Sequence, residues 1–161
     1  MMPFLAANRT GRTKAQTMVE FALILPILLM IIYGLLEVGR LIFIYSTVVS
    51  ASREAARYGS ATGLVSGTEQ YKNCPGIRDA AQRVDFLNAI DDIAIAYASN
   101  PGQPTTYNIT SCPPGDLASG ARIRVTVTAS FTPLAAIVPL EEIDIILWNA
   151  RTIIGSVQIV P

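Results

Sequence analysis

Residues 21–45 read FALILPILLMIIYGLLEVGRLIFIY, from Phe21 to Tyr45, and this stretch decides the fold. Its only charges are Glu37 and Arg40, and its first 16 residues carry none. As a helix it is about 37 Å long at 1.5 Å per residue, enough to cross a hydrocarbon core of about 30 Å with some tilt. A helix that is apolar all round must be buried on every side, and the rest of the chain is too short to enclose such a rod as a core helix. The stretch therefore predicts one membrane-spanning helix.

Outward toward the N-terminus lies MMPFLAANRTGRTKAQTMV, with Arg9, Arg12 and Lys14 and no acid before Glu20. Positive flanks stay in the cytoplasm, so the N-terminus is expected inside and everything after about Ser46 outside. A cleavable secretory signal is the alternative, with Val49-Ser50-Ala51 as a small-residue cleavage site. Against it, the apolar run exceeds the roughly 7 to 15 residues of a signal h-region.

Composition agrees with this placement. The 161 residues are 51% hydrophobic and 15% charged, and twelve Lys+Arg balance twelve Asp+Glu. No net basic field exists to concentrate a nucleic acid, so none is expected as a partner. Histidine is absent and cysteine numbers two, which removes Ser/His/Asp and Cys/His triads and imidazole- or Cys-rich zinc sites. No Walker, G-x-S-x-G or G-x-G-x-x-G spacing occurs. The expectation is no enzyme, no cofactor and no metal. Asn108-Ile109-Thr110 is read as a chance sequon, since it matters only in a eukaryotic secretory setting.

The helix begins with Ala15-Gln16-Thr17-Met18-Val19-Glu20-Phe21. A carboxylate costs about 2.5 to 3.5 kcal/mol at mid-bilayer, so Glu20 belongs at the interface or beside a cation. An acid at a helix N-terminus also needs no function, because the helix dipole favours it. The basic leader, a small residue followed five positions later by Glu20-Phe21, and then ALILPILLMIIYGLLEVGR resemble the TadE-like pseudopilins of the bacterial tight-adherence (Tad, or Flp-type) pilus system. The resemblance covers about residues 11 to 60. It implies that a membrane aspartyl prepilin peptidase cuts between Ala15 and Gln16, leaving Glu20 as the fifth residue of the mature chain. Ala15 stands where the family usually has Gly, and a cut after Gly11 would leave Glu20 ninth.

Within the span, Pro26 lacks an amide proton and predicts local loosening of the helix. Glu37 and Arg40 lie three apart near the outer end, where a mutual ion pair lowers the cost of both. Packing against another subunit is the alternative. The helix is expected to continue through STVVSASREAARY to Tyr58, with Arg53 and Arg57 one turn apart and Glu54 beside them, and to end at Gly59 and Gly63.

After a flexible GSATGLVSGTEQ segment, Ile77, Ala80, Ala81, Val84, Leu87, Ile90, Ala94 and Tyr97 recur every three to four positions and predict a helix from Ile77 to Ser99. Asp91 and Asp92 are read as its solvated edge, and Glu141 and Glu142 likewise as solvated. Ile123, Val125, Val127, Ala129 and Phe131 alternate with polar residues and predict the clearest strand. Thr105–Cys112, Ile143–Trp148 and Arg151–Val160 are weaker strand candidates. Trp148, the only tryptophan, is expected in the core rather than as a ligand platform. Two cysteines in an exported region predict a Cys74–Cys112 disulfide tying that helix's start to the following strand, with two buried thiols as the alternative.

These readings give an α+β chain in three parts: a cytoplasmic leader (1–15), a transmembrane helix and stem (16–60), and a small extracytoplasmic head (61–161). The expected location is the bacterial cytoplasmic membrane, single-pass, with incorporation into a surface pilus open. Expected partners are the lipid bilayer, prepilin peptidase, and other pilin or pseudopilin subunits with their assembly machinery. A single-pass anchored binding module that is never cut and never enters a filament is the alternative function.

Overall fold

The computed structural model describes residues 10–99, 107–134 and 142–154, with side chains from Gln16 onward. The first helix, α1, spans Thr10–Ser60 and is continuous through Pro26. The chain divides into two units, Met1–Arg40 and Leu41–Pro161. In the second unit the end of α1 is core material: Ile44, Val48, Ala51, Ala55 and Ala56 are buried in one cluster with Ile77 and the inner side chains of a sheet. Ile44, Val48, Ala51 and Ala55 follow one another at steps of three or four residues, which places them on one helix face with Ala56 beside it, and the small alanines let that face approach its neighbours closely. Buried Thr47 and Ser52 donate to the carbonyls of Phe43 and Val49 at 3.0 Å each, so their hydroxyls are satisfied within the helix. A head released after Ala51 would lose Ile44, Val48 and Ala51 from this core, a physical argument against the cleaved-signal alternative.

The segment expected to be flexible is ordered as a tight hairpin, β1 (Leu64–Val65) and β2 (Thr68–Glu69). Its two turn residues, Ser66 and Gly67, have φ of 52° and 80°, the left-handed pair that joins two-residue hairpins. A 3-10 turn, Gln70–Lys72, leads into α2, Cys74–Gln82, whose start is capped by the Asn73 side chain accepting from Gly76 N at 3.1 Å.

The long helix expected over Ile77–Ser99 does not exist. The chain makes only α2 there, then a turn, then strand β3, Ile90–Ala98. The turn is held by Asp85, whose carboxylate accepts from Ala89 N and Ile90 N at 2.9 Å each, and by Asn88 in the left-handed region at φ 51°. From Ile93 onward the same residues also alternate: Ile93, Ile95 and Tyr97 are buried on the core side of the strand. Pairing with β4 selected this period of two over the helical one.

Strand β4, Arg122–Phe131, matches expectation, with Ile123, Val125, Val127 and Ala129 fully buried. Burying each Ile or Val side chain contributes about 1.5–3 kcal/mol. The Ile143–Trp148 run forms strand β5, Ile143–Thr152, which takes in only Arg151 and Thr152 of the expected Arg151–Val160 strand; Ile153 and Ile154 follow outside it, and residues 155–160 lie outside the described residues. The antiparallel sheet has the order β3-β4-β5. Of the Thr105–Cys112 candidate, only Ile109 pairs, as a single bridge to Tyr97, while 105 and 106 lie outside the described residues.

Trp148 is not a core residue. It is 62% exposed, because β5 pairs Trp148 with Thr126 on the half-exposed face of β4, while Ile145 and Leu147 pack against the core. Asp91, Asp92 and Glu142 are exposed as expected, the aspartates on a strand instead of a helix, and Glu141 lies outside the described residues. The architecture is α+β: a long N-terminal helix and a small head with two antiparallel sheets and a short helix.

Candidate functional site

From Gln16 to Ile32 every side chain of α1 is exposed, with Met18 at 77% and Phe21 at 63%. The apolar window of this helix has a mean hydropathy of 2.5 and none of it is buried against protein. A core helix that passes the same hydropathy test is covered by protein, whereas this one is bare among the described residues, and it fits a single-pass membrane protein.

At the start of the exposed rod, Gln16 Nε2 donates to Glu20 Oε1 at 3.2 Å. The two residues are four apart, so residue 16 and the carboxylate of Glu20 share one helix face. Phe21 points outward beside them. Ala15 lies in helical backbone, so the Ala15–Gln16 bond sits inside α1 in the uncut chain.

At the other end of the rod, Arg40 Nη1 stands 3.4 Å from Glu37 Oε2. The sequence reading missed a third member: Tyr33 Oη donates to Glu37 Oε1 at 2.7 Å. Its spacing of four before Glu37 was visible in the sequence, since a phenol one turn away from a carboxylate in an apolar helix has few other polar groups to reach. Together they leave the Glu37 side chain only 14% exposed. Next along the helix, Arg57 pairs with Glu54 at 2.6 Å, while Arg53 is exposed.

In the head, Cys74 and Cys112 form the expected disulfide, with Cα atoms 5.9 Å apart. What it ties differs from expectation. Cys112 follows the Ile109 bridge in an irregular segment, so the bond fastens the start of α2 to the loop between β3 and β4. Lys72 fastens the same loop by pairing with Asp116 at 2.5 Å, and also reaches Glu69 at 3.0 Å. These partners, Asp116 first, raise the Lys72 pKa, and Lys72 holds Asp116 below the ordinary carboxylate value. Tyr97 donates to the Tyr71 carbonyl at 2.7 Å, and burial pushes its phenol pKa up. Among the described residues no three His, Cys, Asp or Glu side chains gather as metal ligands.

A bare apolar helix and a small disulfide-closed α+β head fit one class, a single-pass membrane protein with a small folded head. Within it, the family model described as TadE-like protein matches residues 15–57, about a quarter of the chain and nearly all of the stem. Over those residues the stem of this chain is similar to TadE-like proteins. No curated protein and no solved structure matches the chain.

Proposed function

We propose that this chain is a TadE-like pseudopilin that serves the assembly or structure of a tight-adherence type pilus after a prepilin peptidase removes its leader between Ala15 and Gln16. The observation that carries the reading is the TadE-like match over the stem, which begins at Ala15, beside the proposed cut. The basic leader supports an inward N-terminus and an outward head. Since the scissile bond lies in helical backbone, cleavage requires the first turns of α1 to open. Helix ends fray at little cost, and Gly11 lies in this end.

Cutting removes Arg9, Arg12 and Lys14 and creates one α-amine on Gln16, mostly cationic at neutral pH. The 3.2 Å contact between the Gln16 side chain and Glu20 shows that residue 16 and this carboxylate are within reach of each other. A single amine paired with a carboxylate enters an apolar bundle at lower cost than a leader with three cations. In a bundle of stems Glu20 can equally meet a neighbour's amine and set the axial register. The Tyr33–Glu37–Arg40 group, with its mutual contacts, is the second polar feature that a stem partner would meet.

N-terminal sequencing of the mature protein tests the reading, with Gln16 as the expected first residue. Glu20→Gln keeps the shape and removes the charge, so cutting is expected to persist while recovery with pilus partners falls. An intact leader on the membrane-bound protein would overturn the proposal in favour of a plain anchor, and unchanged assembly of Glu20→Gln would overturn the role of Glu20.

A further inference from the structure

The outer face of the β3-β4-β5 sheet carries charges that find no ion-pair partner among the described residues. On β4 the residues pointing away from the core are half-exposed, and Arg122 and Arg124 are the first two of them. Each has its Nε shielded from solvent with no acceptor among the described residues. The Arg124 guanidinium lies 4.3 Å from the ring centroid of Tyr107, which holds it in place without neutralising it. At the opposite end of the same face stand Asp92 and Asp144, both exposed. Between the two ends lie Ile146 and Trp148, 58% and 62% exposed.

The order of these groups is self-complementary. The Thr126–Trp148 pair marks the middle of the face. Arg124 and Arg122 stand two and four residues from Thr126 toward one end, about 7 and 13 Å at the rise of a strand. Two residues toward the other end Thr128 pairs with Asp92, and four residues away Ser130 pairs with Asp144. Basic and acidic groups are thus equidistant from Trp148 on its two sides. A twofold axis lying in the face, across the strands at the Trp148 level, turns the strands end for end. It lays Arg124 over the level of the partner's Asp92, Arg122 over that of the partner's Asp144, and Trp148 over its own counterpart. An axis along the strands would instead set like charges together.

We infer that this face is a self-association surface on which a second copy of this chain packs, sheet on sheet, about that twofold axis. The inference rests on the head alone and stands whether or not the leader is cut. A three-stranded face is about 14 Å wide and about 30 Å long, roughly half of the 800 Å² per partner of a standard interface. The association is therefore weak in dilute solution and populated where chains share a membrane, which raises their effective concentration.

Trp148 is the sole tryptophan, so its fluorescence reports this surface alone. The full chain is reconstituted in phosphatidylcholine vesicles over a range of protein-to-lipid ratios, and Trp148 emission and acrylamide quenching are measured. With rising density, the emission should shift to the blue and quenching fall roughly twofold, as at a packed interface core. Arg124→Glu and Asp92→Arg should each abolish this density dependence, and the double variant should restore it. Thr126→Cys, near the axis, should be joined to a second copy by a short bis-maleimide, whereas Gln82→Cys on exposed α2 should not. Density-dependent shielding that ignores the single charge reversals, or a double variant that fails to recover while Thr126→Cys does not crosslink, overturns the inference. Shielding of Trp148 that is already complete at the lowest density assigns the face to the lipid surface and overturns it as well. None of these outcomes depends on the state of residue 15, so the inference and the pseudopilin reading fail separately.

Discussion

Gly59→Ala is expected to destabilise the head even though alanine is the better helix former. Gly59 is the penultimate residue of α1 and is buried. A methyl group on its Cα would stand 2.5 Å from Ile123 Cδ1 and 3.2 Å from Ile77 Cδ1. Alanine gains up to about 1 kcal/mol over glycine inside a helix, and less here because only Ser60 follows. Against this gain, Ile123 and Ile77 are both fully buried, so neither terminal methyl has free space to enter. Forcing an extra methyl into a filled core costs about 1–3 kcal/mol. The net loss is about 1–2 kcal/mol, which for a head of some 120 residues lowers Tm by about 4–8 °C. Near-ultraviolet dichroism of the full chain in detergent during heating follows the packing of the head. Ile123→Val removes the clashing Cδ1 and alone costs about 0.5–1.5 kcal/mol. Combined with Gly59→Ala it should cost less than the sum of the two, by about 1 kcal/mol, because the clash is then gone. A higher Tm for Gly59→Ala, or strict additivity in the pair, would refute the packing argument.

Three further outcomes follow from the head. The Cys74→Ala/Cys112→Ala double variant should lose about 4 kcal/mol, because the bond closes a loop of 38 residues and the chain-entropy relation gives that value; unchanged denaturant midpoints would contradict it. Burial raises the Tyr97 pKa above the unfolded phenol value of about 10, so its contribution is complete below that pH and is lost as pH rises further. Alkaline unfolding that begins above about pH 10 and is weakened in Tyr97→Phe is the expected result; a profile identical in the two proteins would sink this assignment. Protease added outside spheroplasts should digest the head and leave a fragment containing the apolar helix, and protection of the whole chain would reverse the proposed orientation.

Much of this molecule was written locally. Residues 21–45 specify a membrane-type helix by themselves, because an apolar surface on every side of a helix of that length has one kind of solvent and no tertiary partner is needed to say so. The alternation of Ile123 to Phe131 likewise survives any context, since a strand with one wet face has a single pattern. The Cys74–Cys112 pairing followed from having two cysteines, and the Glu37–Arg40 contact from their spacing on one helix. Three features were decided only by tertiary structure. Residues 90–98 carry apolar side chains at both helical and strand periods, and the open edge of β4 settled the choice by offering hydrogen bonds to the backbone and a core to Ile93, Ile95 and Tyr97. In β5 both parities are apolar, so the side on which Trp148 falls was fixed by its register against Thr126 and by nothing in its own neighbours. The end of α1 reads as a plain alanine-rich stem, yet it forms the centre of the head's core, because small side chains become an asset only where a sheet comes close enough to need them.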